Sequence, residues 1–390
     1  MAEHPAVLLD YCFCSPLGHT TAEVVERLRA GRSGIVSLGD KEQCPVVPTG
    51  ALIIPQADFP SAQHLHSRIS PRFARALGGF CQALRELMKR WGPVDQVFLI
   101  YRKHFYSEWP VGLEPPPGED ELFLGRFLQE CGLAELDLAR LVLLHSACSS
   151  GLVALNAALR QLARQPQRRV LIVGLESELN QERFLAMKKL GALSPETDPS
   201  RSCQPFSTVR TGLVPGEVLV AALLGTRPRA QLKPDDILLH AGTASCDASR
   251  LTDCLESGEF LRQVLEFACE RLGRHPDVLC PHGTSTMLND QVEGQVLERF
   301  FGERGRSVRV APLKQYVGHT LNSSGLWETV LNVEMLRHNL LPRLLHRDPM
   351  ETYQWLQFPL PGEERPLSTA IKLAVGFGGI NASLALEKVG

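Results

Sequence analysis

The sequence predicts an α/β protein made of two similar halves, each containing a βαβ unit. Three observations carry that expectation. Short apolar runs alternate with stretches of helical periodicity. Strand, helix and strand fit within about 35 residues twice over, a spacing that makes a βαβ unit and implies a parallel sheet covered on both faces. The tetrapeptide Ser149-Ser150-Gly151-Leu152 returns as Ser323-Ser324-Gly325-Leu326, 174 residues later and again ahead of a helical stretch. A chain of 390 residues is long enough for two such halves, with a division expected near residue 200 (1–200 and 201–390).

Taken in order, Glu114-Pro115-Pro116-Pro117-Gly118 is a loop, because its proline run fits neither helix nor central strand. Leu141-Val142-Leu143-Leu144 is continuously apolar, as a strand buried on both faces would be. Leu152, Leu155, Leu159 and Leu162 then recur at helical spacing up to Arg164, and Arg169 to Gly174 reads as the next buried strand. Ser194 to Ser202, rich in Pro, Ser and Asp, is the loop at the junction. The second half repeats the theme: a strand at 277–280, a helix from Asp290 to Phe301, and a strand from Ser307 to Ala311.

Composition removes several function classes. Lys+Arg 41 against Asp+Glu 43 leaves a net charge of −2, which does not suit non-specific nucleic-acid binding. A hydrophobic content of 44% excludes global disorder. The first residues, Met1-Ala2-Glu3-His4-Pro5, lack a signal peptide's basic-then-apolar order, and no apolar run approaches the ~20 residues that span a bilayer. The 11 cysteines form no C-x-x-C pair, so neither a disulfide framework nor a metal site is expected. A cytoplasmic protein with mostly reduced, buried thiols is the expectation.

Four segments could carry chemistry. Cys148 lies between an apolar strand and an amphipathic helix, where a helix N-terminus lowers a thiol's pKa and its N–H groups can hold an oxyanion. The same position would equally suit a small buried thiol in a tight turn. His282 follows an apolar strand directly, either presented at the strand's C-terminal end or serving as a turn histidine. Lys314 and His319 precede the second helix, with His319 expected at the place matching Cys148, and Glu328 follows nine residues later as a network partner or a solvated carboxylate. Gly376, Gly378 and Gly379 surround Phe377 in a turn that lets backbone approach a ligand closely, and the Walker pattern is missing.

In this order and spacing the four segments resemble the β-ketoacyl synthase family of condensing enzymes on the thiolase fold. Ser146 to Gly151 is similar to the nucleophile motif, His282 to Thr286 to the first histidine motif, Lys314 to His319 to the second, and Gly376 to Asn381 to the glycine loop. The stretch from Ala192 through Gln204-Pro205-Phe206 to Gly216-Glu217 is similar to the linking segment. The likeness is good from about residue 140 onward and thin before it, where Ser15 to Gly18, Leu28 to Ile35 and Arg68 to Arg75 carry it.

The resemblance implies layers in the order α-β-α-β-α and a decarboxylative condensation. Cys148 would take an acyl group from acyl carrier protein, and malonyl-acyl carrier protein would lose carbon dioxide and attack it. His282 and His319 would hold the enolate oxygen, and Lys314 and Glu328 would support them. The N–H groups of Cys148 and Phe377 would form an oxyanion hole, with the Phe377 ring gating the acyl pocket. Two histidines mark the elongating type. No cofactor is implied beyond the carrier's phosphopantetheine.

Arg68, Arg72 and Arg75, at i, i+4 and i+7, would lie on one helical face, as a docking patch for an acidic carrier or as a solvated basic face. A two-fold dimer is implied, with an identical or a related partner. Gln204, Ser207, Val218, Cys280-Pro281 and Ile380 depart from the family pattern without removing a catalytic atom, and they point away from the housekeeping fatty-acid branch toward a specialised synthase of a bacterial secondary or polyene-type pathway, with fatty-acid-like, polyene or polyketide synthesis as the range. Two competing readings are a non-elongating partner subunit resembling a chain length factor and an acyltransferase using the same cysteine.

Overall fold

The computed structural model describes residues 3–38, 48–66, 68–102, 118–177, 181–248, 256–346 and 353–390, so residues 114–117 of the expected proline loop lie outside the described residues. The strands are β1 Ala6–Cys14, β2 Ile35–Ser37, β3 Thr49–Ala51, β4 Gln96–Tyr101, β5 Leu141–Leu144, β6 Val170–Glu176 and β7 Val218–Thr226, then β8 Ile237–His240, β9 Ala244–Cys246, β10 Val278–Cys280, β11 Arg309–Val310, β12 Thr369–Gly376 and β13 Ile380–Lys388. The short pair β2–β3 stands apart from the main sheet.

Two sets of five strands repeat one order. The first runs β5-β4-β6-β7-β1 and the second β11-β10-β12-β13-β8, so in each the third strand is followed by the second, fourth, fifth and first. Directions match as well: β4 is parallel to β5 and β6, and β10 to β11 and β12, while the last two strands of each set are antiparallel. The sheet is therefore mixed rather than wholly parallel. The sets meet at one residue pair, Val7 with Leu238. Strand β7 completes the first set, so by strand membership the halves change between Thr226 and Ile237, later than the expected 200.

Three cores separate five layers. Helices Pro71–Trp91 and Glu119–Glu130 cover one face of the first set. Helices Ser150–Arg164 and Ser324–Arg337 fill the middle, between the two sets. Helices Glu259–Leu272 and Met287–Phe301 cover the outer face of the second. The middle pair explains the repeated tetrapeptide. A Cβ on Gly151 would lie 2.8 Å from the Gly325 carbonyl carbon, and one on Gly325 would lie 2.8 Å from the Leu152 nitrogen. Each glycine is where the other helix's backbone passes.

Strand β5 corrects an expectation. It is not buried on both faces: it is the edge of the first set, with Val142 38% and Leu143 53% exposed. An edge strand can carry the same apolar run as a central one, so composition could not separate them.

Candidate active site

Cys148 sits on a strained turn. Ala147, the residue before it, has φ +47°, uncommon for a side chain with a Cβ. Ser150 Oγ holds the turn by accepting from Ser146 N at 2.7 Å and donating to the Ala147 carbonyl at 2.6 Å. Ser149 caps the Ser150–Arg164 helix and donates its hydroxyl to the Ile380 carbonyl at 2.6 Å, tying the nucleophile turn to the glycine turn. Gly376 must be glycine for that approach, because a Cβ there would meet Ser149 Oγ at 2.9 Å.

His319 faces the thiol, with Nε2 3.2 Å from Cys148 Sγ. Its backbone is bracketed by the linking segment: its N–H donates to Val214 O at 2.6 Å and its carbonyl accepts from Gly216 N at 3.0 Å. The two helix caps Ser149 and Ser323 correspond, so the counterpart of Cys148 is Asn322, and His319 lies three residues earlier than expected. The His282 ring stands edge-on to His319 with centroids 5.2 Å apart. Helix Met287–Phe301 holds the His282 turn from below. Glu293 accepts from His282 N at 2.6 Å and Gly283 N at 2.8 Å, and Asp290 accepts from Thr284 N at 2.9 Å and Phe206 N at 2.9 Å.

Beneath the histidines lies a buried ionic cluster. Glu328 is fully buried, not solvated, and accepts from Lys314 Nζ at 2.7 Å and Ser324 Oγ at 2.6 Å. Lys314 also donates to the His282 carbonyl at 2.6 Å. Lys372, in β12, pairs with the other Glu328 oxygen and donates to the Pro281 carbonyl at 2.7 Å. Burial opposes charge on Glu328, yet Lys314 and Lys372 bring its pKa down to about 2. Burial first, and then the Lys314 charge, push both His282 and His319 well below the ordinary imidazole range. Both rings are therefore neutral near pH 7. Among the described residues their buried Nδ1 atoms meet no hydrogen-bond partner.

Cys148, His282 and His319 line one cavity of about 240 Å³, walled also by Met187, Leu321 and Phe377, the last 37% exposed at the glycine turn. The expected residues Cys148, His282, His319, Gly376 and Phe377 all reach it, and Lys314 and Glu328 lie directly behind. Gln204 and Ser207 are buried in the segment packed on the His282 turn, the Gln204 N–H donating to Ser285 Oγ at 2.9 Å. Asp290, Glu293 and Lys372 were missed. Their signals were an i, i+3 acidic pair after the histidine motif and a lysine inside the apolar run Ala370 to Val375.

The basic patch does not hold together. Ser70 accepts from Phe73 N at 3.2 Å and Pro71 takes the first helical position, so the helix starts after Arg68. Arg72 turns inward and clamps the buried Glu217 carboxylate bidentately, at 2.7 and 2.9 Å. Of the three, only Arg68 and Arg75 are exposed.

Residues 139–230 match the β-ketoacyl synthase N-terminal domain family and residues 237–348 the C-terminal domain family. Among curated relatives, 3-oxoacyl-[acyl-carrier-protein] synthase 2 of Rhizobium meliloti is 28% identical over 253 residues, 62% of this chain and 59% of that protein. The protein of the same name in Coxiella burnetii is 27% identical over 260 residues, 63% and 61% of the two chains. The alignments thus span about three fifths of these relatives. A type II polyketide ketosynthase solved with its acyl-carrier protein superposes with TM-score 0.77 at 18% identity, covering 100% of both chains. A ketosynthase solved with its chain length factor, from Xenorhabdus doucetiae, gives 0.71 at 21%, covering 99% of this chain and 98% of that one. A β-ketoacyl synthase from Burkholderia phymatum gives 0.75 at 22%, covering 99% and 100%. The fold is that of the thiolase-like ketosynthases.

Proposed function

Since the chain belongs to the β-ketoacyl synthase family, we propose that it condenses an acyl thioester on Cys148 with malonyl-acyl carrier protein, releasing carbon dioxide and 3-oxoacyl-acyl carrier protein. Cys148 Sγ attacks the acyl thioester and the carrier's phosphopantetheine thiol leaves. Malonyl thioester then enters and loses carbon dioxide, and the electron pair of the broken bond moves into an enolate. Neutral Nε2–H groups of His282 and His319 donate to that enolate oxygen, so no base is needed. The enolate carbon attacks the acyl-Cys148 carbonyl. The oxyanion formed is held by the N–H groups of Cys148 and Phe377, and its collapse expels the Cys148 thiolate, which takes a proton from solvent. The Phe377 ring gates the acyl channel. The supporting observation is a thiol and two buried imidazoles, both held well below the ordinary imidazole range, around one cavity.

The partners are an acyl carrier protein, met by Arg68 and Arg75, and a second ketosynthase-like chain, identical or related. What favours that second chain is β5: among the described residues no strand pairs with its outer side, and it presents Val142 and Leu143 to solvent. No described helix is long and apolar enough to cross a membrane. The cytoplasm is the proposed compartment, in keeping with the free thiols among the described cysteines. The pathway is fatty-acid-like or polyketide synthesis.

The test is intact-protein mass spectrometry after incubation with a panel of acyl-carrier thioesters, beside Cys148→Ala. One acyl group added to the parent and none to the variant, followed by elongated product on adding malonyl-carrier protein, is the expected result. If nothing loads, even with candidate partner chains present, the reading fails and a non-elongating partner role replaces it.

A further inference from the structure

Two lysines share one carboxylate beneath His282. Lys314 takes Oε1 of Glu328 and the carbonyl of His282; Lys372 takes Oε2 and the carbonyl of Pro281. Both ammonium groups are 1% exposed. The two cations thus pin consecutive peptides of the turn that carries His282, each from a different element. Lys372 belongs to none of the four motifs, and a buried ammonium is costly unless fully partnered. Methionine would fill the same space in β12 without that cost.

Resting on the condensation proposed above, we propose that Lys372 is a positioning residue for the decarboxylation step, clamping the Pro281–His282 backbone to Glu328 and placing a second positive charge behind both rings. Cys148 faces His319; the charges of Lys314 and Lys372 reach both rings and that of Glu328, from the Ser324–Arg337 helix, reaches His319; Cys280 of β10 lies against Glu328, and Asp290 and Glu293 of the Met287–Phe301 helix hold the backbone of the His282 turn. Glu293, raised by burial, titrates at about 7. Removing the Lys372 charge leaves Lys314 alone to oppose protonation of both rings, with Glu328 favouring it at His319, so the rings accept protons more readily and stop being neutral donors at a higher pH.

The experiment compares the parent, Lys372→Met and Lys372→Gln in three readouts. These are acyl loading by intact mass, carbon dioxide release from malonyl-carrier protein across pH, and titration of ring-labelled histidines by NMR. Loading is expected to stay within about threefold while kcat for carbon dioxide release falls about thirtyfold, as an ångström-scale shift of one donor implies. The acid limb of carbon dioxide release should move up by about one pH unit in both variants, the effect of one charge at close range. Lys372→Gln, which keeps a donor for Pro281, should recover part of kcat and keep the shifted limb. Loading and release falling together with an unmoved limb would overturn the proposal, as would no change in either. If the methionine variant does not fold, the limb in Lys372→Gln decides alone. If the parent releases no carbon dioxide, the condensation reading fails separately. The substrate-free histidine titration then decides on Lys372: raised ring pKa values support it and unchanged ones overturn it.

Discussion

Gly151→Ala tests how the middle helices set the distance between thiol and imidazole. Alanine is the better helix former by about 1 kcal/mol, so propensity alone favours the variant. Packing opposes it. The new Cβ would lie 2.8 Å from the Gly325 carbonyl carbon and closer still to the Leu326 nitrogen, where ordinary contact begins at 3.4 Å, and both obstacles are backbone. Helices Ser150–Arg164 and Ser324–Arg337 must therefore part by more than half an ångström. Overpacking of this kind costs about 1–3 kcal/mol, which exceeds the propensity gain. For a chain of this size the net is a fall in Tm of about 1–3 °C. Cys148 sits just ahead of the first helix start, so the thiol and the N–H proposed for the oxyanion hole shift with that helix, away from Phe377, and the 3.2 Å contact with His319 opens as well. A displacement of that order slows a positioned step about 10- to 100-fold. Time-resolved intact-mass measurement of acyl loading, with Gly125→Ala as the control, reads this directly, because a Cβ at Gly125 meets nothing within 4 Å. A Gly151→Ala protein that melts like the parent and loads within threefold of its rate would refute the reasoning.

The remaining expectations follow from the ionic groups and the open edge. The Glu328 pKa is held down at about 2, so the stability it contributes is full above the ordinary carboxylate value and is lost as pH falls through about 2. Glu328→Gln should lose about 3 kcal/mol at pH 7 in urea titrations and show a flatter dependence below pH 5; an unchanged midpoint at pH 7 refutes this. Arg72→Met strands the buried Glu217 carboxylate and should cost about 2–4 kcal/mol. Arg75→Glu should leave stability within about 0.5 kcal/mol and raise KM for carrier-bound donors only; an equal rise with small thioester mimics removes Arg75 from docking. Leu143→Asp places a charge on the open edge of β5 and should convert the proposed dimer to single chains in sedimentation velocity, whereas an unchanged sedimentation coefficient moves the interface elsewhere.

Much of the site was legible because its signals are local. Cys148 lies where an apolar run gives way to helical spacing, and that change of period fixes a strand, a turn and a helix start without reference to the rest of the chain. The repeated Ser-Ser-Gly-Leu was legible as a duplication for a related reason: each glycine answers the same close crossing. What lay beyond the sequence was contact between distant segments. Lys372 is separated from Pro281 by 91 residues, and nothing near it in the chain marks it as more than a lysine in a strand. Arg72 and Arg75 looked alike because helical spacing places side chains on a face but does not say which of them finds a buried carboxylate 145 residues away. Strand β5 looked central because an apolar run reads the same on an edge strand as on a central one.

The meeting of the two strand sets at the single pair Val7–Leu238 has a practical consequence. A chain cut between Thr226 and Ile237 would break no strand order, since each fragment keeps its five strands, Cys148 on one piece and His282 with His319 on the other. Neither piece could bury its side of the middle helical layer alone, so the fragments would have to be produced together. Their reassociation would rebuild the thiol–imidazole contact and make acyl loading a reporter of fragment complementation.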